Sequence, residues 1–345
     1  MRAMVLEEFG KPLVFRELPI PKAGDGEIVV RMKVCGVCGS DLKVQSGSLG
    51  TATLPIIPGH EIAGEVVELG PGVTDVQLGD RVVFFIYITC GTCRNCLDGR
   101  QNICMNFISR PGFEQDGGMA DYLVMPAANA VKIPDGVSYR HAAVSPDAVA
   151  VSVHAFYDRA RPEPGDNVLI IGAGGLGLHG LQVAKALGAV VTVADIDDGK
   201  LAIAKELGAD HVINSKNEDL VEAAKALTGG YGMDIVGEYV GAPAVVEMGL
   251  QCLRFGGKLL IVGYSPGKPF TAHSYEIFAK ELEILGSRAI NKQNIVDALD
   301  LVKQGKVRPY IDEEFTLEQA NEVLERLGKG GFIGRGILIV DPSCE

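Results

Sequence analysis

Six of the eight cysteines fall into two clusters whose spacing suits metal ligands, and a glycine-rich turn follows them. Cys90-x2-Cys93-x2-Cys96-x7-Cys104 puts four thiols within fifteen residues. Four thiolates in so short a loop can close a tetrahedron around zinc, and with no ligand position left open such an ion is structural. Gly91, Asn95, Gly99 and Asn102 supply the turns that the loop needs. The competing readings are an iron–sulfur cluster, whose usual spacings differ, and four free thiols, which seldom bunch this way. Upstream lie Cys35-Gly36-Val37-Cys38-Gly39-Ser40-Asp41 and, about twenty residues on, Gly59-His60-Glu61. Thiolate and imidazole together are a donor set that zinc prefers.

Gly172-x-Gly174-x-x-Gly177 follows the apolar run Val168–Ile171 and opens a stretch of helical spacing. Between strand and helix this pattern is a dinucleotide-binding turn. Gly172 makes the tight bend, Gly174 lets the backbone approach a pyrophosphate, and Gly177 lets helix pack on strand, with Gly175 and Leu176 completing the turn at the positive helix end. Asp195 stands eighteen residues past Gly177, after Val190–Ala194. A carboxylate there accepts from ribose hydroxyls and repels a 2′-phosphate, and no arginine lies between Arg161 and Arg254. The coenzyme expected is therefore NAD rather than NADP.

The elements that must position these residues divide in two. A chain of 345 residues is too long for one ordinary core. Residues 1–150 read as mainly β: Glu27–Met32, Ile62–Leu69 and Arg81–Ile86 are short apolar runs between Gly, Pro and Asp turns, with no clear helical period before about Ala142. Residues 151–286 alternate strand and helix, with strands at 168–171, 190–194, 211–213, 234–236, 259–262 and 283–285. Six such strands fit a doubly wound parallel sheet. Residues 287–345 end in a strand at Gly336–Val340 that could rejoin the first domain's sheet. The edge strand of the second sheet, at 259–262 or 283–285, could pair across a two-fold axis.

Composition narrows the class. The chain is 47% hydrophobic and 22% charged, with net charge -12. An acidic chain without a basic run is a poor binder of nucleic acid or anionic membranes. No apolar stretch is uninterrupted enough to span a bilayer. Acids at Glu7 and Glu8 come too early for a signal peptide, so a cytoplasmic protein with metal-binding rather than disulfide-bonded cysteines is expected.

Taken in order along almost the whole chain, Gly36-Val37-Cys38-Gly39-Ser40-Asp41, Gly59-His60-Glu61, the four-cysteine lobe and the later glycine turn resemble the zinc-dependent medium-chain alcohol dehydrogenase family. The resemblance implies an α/β protein, a GroES-like mainly-β catalytic domain carrying both zinc sites and a Rossmann coenzyme domain. It implies two zinc ions per chain and NAD, and reversible hydride transfer between a small primary or secondary alcohol and its aldehyde or ketone. A polyol, diol or threonine-type dehydrogenase is the alternative within the family. A zinc-free reductase or non-catalytic binder on the same fold is argued against by the presence of all three ligands. By resemblance, Cys38, His60 and Asp147 hold the catalytic zinc, Asp147 standing just before the central helix where many relatives have cysteine. Glu61 is a transient further ligand, Ser40 a proton carrier, and Asp41 the partner of His60, while Cys35 belongs to the core. Where many relatives carry a relay histidine this chain has Lys43, read as a solvated lysine with water carrying the proton. Lys200 and Arg335 match contacts to the ribose and the pyrophosphate, and the backbone of Val262, ending a strand, meets the nicotinamide amide. Leu49, Ile86 and Val151 match pocket positions. A homo-oligomer is implied, tetramer favoured over dimer.

Overall fold

The computed structural model describes residues 1–343. It divides into two compact units: Met1–Asp147 with Ile290–Lys303 and the chain from Ile311 onward, and Ala148–Ala289 with Gln304–Tyr310.

The first unit is built on a seven-stranded sheet. Its long central strand, Glu27–Val37, is buried over almost its whole length. It pairs antiparallel with Glu61–Leu69 on one side, and with Arg335–Ile339 and Tyr122–Pro126 along the other. Cover on both faces explains why this strand reads as an apolar run rather than an alternating one. Arg81–Phe84 and Ala130–Lys132 extend the sheet beyond Glu61–Leu69, and Ile311–Thr316 runs parallel to Arg335–Ile339 at the opposite end. The C-terminal strand does rejoin this sheet, with Leu338 opposite Cys35. Leu6, Ile28, Met32, Ile62, Phe84 and Met119 fill the core.

The second unit is a six-stranded parallel sheet. In spatial order its strands are His211–Asn214, Val190–Asp195, Asn167–Ile171, Met233–Glu238, Leu253–Ile261 and Glu283–Gly286. Chain order is thus 3-2-1-4-5-6, and the direction of winding reverses between Asn167–Ile171 and Met233–Glu238. Ligands of such sheets bind outside the carboxyl ends of the strands at that reversal. Two of the intervening helices start on aspartate caps: Asp197 accepts from the Lys200 amide, and Asp219 from Val221 and Glu222.

Several local expectations need correction. Leu253–Ile261 is an interior strand paired on both sides, so the edges are His211–Asn214 and Glu283–Gly286. It ends at Ile261, which leaves Val262 just beyond the strand. Helical structure begins well before Ala142, in the seven residues Gly39–Gln45. That helix is too short to show a period, but Cys38 and Asp41 cap it reciprocally. No helix among the described residues is long and apolar enough to cross a membrane.

Candidate metal centres and coenzyme turn

Sheet register brings the first cluster together. Gly36 lies opposite Glu61 on one neighbouring strand and Ile337 on the other. Cys38 therefore leaves the end of the central strand beside His60-Glu61 and Arg335, which begin the flanking strands. Gly59 enters His60 at φ +95°, a conformation that favours glycine. Its missing side chain also leaves room for Cys35 and Met119, since a Cβ there would lie 2.7 Å from the Cys35 sulfur. Gly36 is required for a second reason. A Cβ there would lie 2.1 Å from Glu61 Oε2 and 2.8 Å from Glu61 Cβ.

Asp147 arrives differently. The helical stretch from Tyr139 to Ala160 is interrupted by a π-helical turn at Ser145–Val149. Such turns insert a residue and re-aim what they carry. Asp147 sits in that turn, inside the helical stretch rather than before it, and its Oδ2 lies 3.3 Å from the Cys38 sulfur. Donor atoms of Cys38, His60, Glu61 and Asp147 all fall within 4.8 Å of one another. Ligand distances of about 2.3 Å to sulfur and 2.0 Å to oxygen put tetrahedral S and O ligands about 3.5 Å apart, so these side chains fit zinc.

The surroundings fix the ligands. Asp41, 1% exposed, accepts the Cys38 amide at 2.8 Å through Oδ2, and its Oδ1 lies 3.2 Å from His60 Nδ1. The Phe113 ring packs on the imidazole at 4.8 Å between centroids. Burial opposes protonation of His60, but the charge and hydrogen bond of Asp41, with Cys38 beside it, raise its pKa well above the ordinary value. A metal ion on Nε2, with the proton kept on Nδ1, would meet that preference for a cation. Burial pushes Glu61 up to about 8 in spite of nearby Arg335 and His60. Both Glu61 oxygens are buried without a hydrogen-bond partner. Burial also opposes ionisation of Asp147, yet the charges of Arg335 and His60 outweigh it and lower its pKa. Ser40 Oγ stands 3.8 Å from the Cys38 sulfur, and Lys43 is half-buried in the last turn of the same helix rather than fully solvated.

Arg335, expected at the pyrophosphate, lies against this cluster. It is 7% exposed, donates from NH2 to Asp147 Oδ2 at 2.7 Å, and brings Nε to 3.1 Å from Glu61 Oε1. Sequence spacing gave no sign of this contact, because it depends on the register of the C-terminal strand with Val34–Val37. Cys35 is fully buried in the core and stands outside the donor cluster. Leu49 and Ile86 pack half-buried on the first unit's core, and Val151 is buried in a helix of the second.

The four-cysteine lobe has the shape of its own site. Sulfur separations are 4.0 Å for Cys90–Cys96, 3.5 Å for Cys93–Cys96, 3.9 Å for Cys93–Cys104 and 3.5 Å for Cys104–Cys90. A zinc–sulfur distance of about 2.3 Å implies edges of about 3.8 Å. Backbone N–H groups of Thr92 and Cys93 lower Cys90 to about 6, and those of Met105 and Cys96 lower Cys93, which favours the thiolate form of these two. Cys96, the buried member, is pushed up to about 12 by desolvation.

In the second unit Gly172 has φ +102°, and a Cβ on Gly177 would lie 1.8 Å from the Gly172 oxygen. A Cβ on Gly174 would meet nothing within 4 Å, leaving the half-buried turn formed with Gly175 and Leu176 open to a ligand. Asp195 closes the strand beside it. Its Oδ2 accepts from Ala173 N at 2.7 Å, and its Oδ1 from Ile196 and Asp197. Lys200 is in the first turn of the next helix, and the Val262 amide bonds to the Glu238 carbonyl. Glu238, which the sequence reading did not single out, is fully buried, and its carboxylate holds the amides of Val240 and Gly241.

Comparison with known proteins agrees with both units. Residues 24–135 match the alcohol dehydrogenase GroES-like domain, and residues 175–304 match the zinc-binding dehydrogenase family. An alcohol dehydrogenase of Geobacillus stearothermophilus is 37% identical over 343 residues, covering 99% of this chain and 100% of that protein. An L-threonine 3-dehydrogenase of Pyrococcus furiosus is 38% identical over 283 residues, 81% of this chain and 80% of that one. A solved NAD-dependent alcohol dehydrogenase superposes with a TM-score of 0.92 at 32% identity, over 99% of this chain and 100% of the other. The chain belongs to the zinc-dependent medium-chain alcohol dehydrogenase family.

Proposed function

We propose that this protein is a zinc-dependent, NAD-linked alcohol dehydrogenase that interconverts a small primary or secondary alcohol with its aldehyde or ketone. The observation that carries the reading is the convergence of thiolate, imidazole and carboxylate donors from Cys38, His60 and Asp147 on one point. Three protein ligands leave a fourth position for substrate. Zinc supplies a Lewis acid that lowers the pKa of an alcohol, and NAD supplies the hydride acceptor. The chain's own residues do the rest. Asp41 keeps the proton of His60 on Nδ1, so that Nε2 faces the ion. Oxidation removes a hydride from carbon and a proton from oxygen, and the Ser40 hydroxyl takes that proton toward water. Lys43 is not needed for this transfer, so its removal leaves the pH–rate profile unchanged. The amides of Gly174, Gly175, Leu176 and Gly177 receive the pyrophosphate, assisted by Arg335, Asp195 and Lys200 receive the adenosine ribose, and the Val262 backbone meets the nicotinamide amide. The zinc of Cys90, Cys93, Cys96 and Cys104 is structural.

A polyol, diol or threonine-type substrate is the second reading. It is supported by the threonine dehydrogenase relative, which is as close in identity as the alcohol dehydrogenase. Chains associate into a homo-oligomer, tetramer favoured over dimer. Supporting this, the helix Ser274–Lys280 next to the edge strand Glu283–Gly286 has no buried residue, and Tyr275 and Phe278 are each 78% exposed. The deciding experiment is a panel of alcohols, polyols, threonine and carbonyls with NAD and NADP, run with zinc analysis. Turnover of simple alcohols with NAD at two zinc ions per chain supports the first reading, and turnover confined to polyols or threonine supports the second. One zinc per chain without turnover refutes both.

A further inference from the structure

His179 lies in the first turn of the helix Gly177–Ala186 and is fully buried. Its Nδ1 is 2.5 Å from the Gly175 carbonyl oxygen, and its Nε2 is 3.0 Å from the Tyr310 amide nitrogen. These partners decide which nitrogen holds the proton. A carbonyl only accepts, so Nδ1 donates; an amide N–H only donates, so Nε2 accepts. The ring is therefore neutral, with its proton on Nδ1. A regular helix would give the Gly175 carbonyl to the His179 amide, four residues on. That amide bonds instead to the Leu176 carbonyl at 3.1 Å, and the ring of the same residue takes over the Gly175 carbonyl. In a trans peptide the N–H points opposite to the C=O. With the Gly175 carbonyl drawn to a fully buried ring, the Leu176 N–H of the same peptide is turned away from it. The ring is itself braced. One helical turn on, Gln182 accepts from the Arg308 amide at 2.7 Å and donates to the Arg308 carbonyl at 3.1 Å, so one helix face holds the backbone at both 308 and 310.

We propose that His179 is a positioning residue for the coenzyme: its ring fixes the Gly175–Leu176 peptide with the N–H aimed at the pyrophosphate, and ties that peptide to the backbone of Tyr310. The inference rests on the reading that this turn receives the pyrophosphate of NAD. It gives the helix a second task beyond offering its N-terminus, since the same side chain links the turn to the segment Gln304–Tyr310 of the second unit.

Two substitutions divide the ring's two bonds. His179→Asn keeps a donor at the place of Nδ1 and loses the acceptor for Tyr310. His179→Gln keeps an acceptor at the place of Nε2 and loses the donor to Gly175. Each removes one buried hydrogen bond, so a merely structural role weakens both variants alike, whereas positioning separates them. The probes are NADH and ADP-ribose, which carries the pyrophosphate without nicotinamide, with dissociation constants measured by fluorescence and calorimetry. Both constants rise on the order of tenfold in His179→Gln, the scale of one buried hydrogen bond, and stay within about twofold of wild type in His179→Asn. Losses equal in the two variants, or larger in His179→Asn, overturn the proposal, as does unchanged affinity in His179→Gln. If either variant does not fold, hydrogen exchange on the wild type still decides: bound NADH slows exchange of the Tyr310 amide, and an amide indifferent to NADH overturns the proposal. Wild-type protein that binds neither NADH nor ADP-ribose refutes the coenzyme reading itself, and the proposal with it.

Discussion

Replacing Asp41 with asparagine changes almost no volume but inverts a hydrogen bond, and the consequence can be worked out. An ionised Asp41 only accepts, so the proton shared with His60 sits on Nδ1 and the Nε2 lone pair is left for a metal. Asparagine can still accept the Cys38 amide, now bonded at 2.8 Å, through its carbonyl oxygen. Its NH2 then faces Nδ1 and drives the ring proton to Nε2, where a ligand atom is required. Loss of such an outer partner costs 10- to 100-fold in metal affinity, or about 1.4 to 2.7 kcal/mol. The assay is competition for zinc against a chelator at pH 8, with the four-cysteine zinc as internal reference. We expect the second zinc to weaken by that factor while the first is unchanged. Affinity within about twofold of wild type for both ions would refute the reasoning. The pH dependence has a definite sign. Metal needs neutral imidazole, and burial is outweighed by Asp41 so that the metal-free pKa of His60 is raised. Protons therefore compete below that raised value, and zinc affinity falls as pH drops through it; in Asp41→Asn the affinity is lower throughout, and the pH at which it begins to fall further moves down.

Gly36→Ala forces a Cβ to within 2.1 Å of Glu61 Oε2. Overpacking of this kind costs about 1–3 kcal/mol in urea denaturation, and an unchanged midpoint would argue that the strands slide apart freely. Cys104→Ser removes one corner of the cysteine tetrahedron. Zinc content should fall by one ion per chain, and the 90–104 loop should become the first site of limited proteolysis. Two zinc ions retained would exclude Cys104 as a ligand. Asp195→Gly deletes a carboxylate that now bonds the Ala173, Ile196 and Asp197 amides. The kcat/KM ratio should move toward NADP by about tenfold, or 1.4 kcal/mol. Unmutated protein already preferring NADP would contradict the coenzyme assignment.

The parallel sheet of the second unit could be read in the sequence because its signals are local, whereas in the first unit's sheet the strands Tyr122–Pro126, Ala130–Lys132 and Ile311–Thr316 went unread. Gly172, Gly174 and Gly177 sit between an apolar run and a helical period, and the parallel strands recur at intervals set by their helices. The cysteine lobe was equally legible, since all four ligands lie in one loop. What escaped was whatever depends on long-range register. The approach of Arg335 to Glu61 and Asp147 is set by pairing across about three hundred residues, from Val37 to Gly336. Likewise the need for glycine at position 36 is a demand of the opposing strand rather than of any local turn. The helix Gly39–Gln45 was hidden by its length, and the π turn at Asp147 has no pattern that residue periodicity reports.

The most direct test is to reload zinc stepwise into metal-depleted protein and follow NADH formation from a saturating alcohol. The rate should stay near zero through the first equivalent per chain, taken by the four-cysteine loop, and rise in proportion to the second before reaching a plateau. Oxidation that proceeds at full rate without the second ion would contradict the central claim.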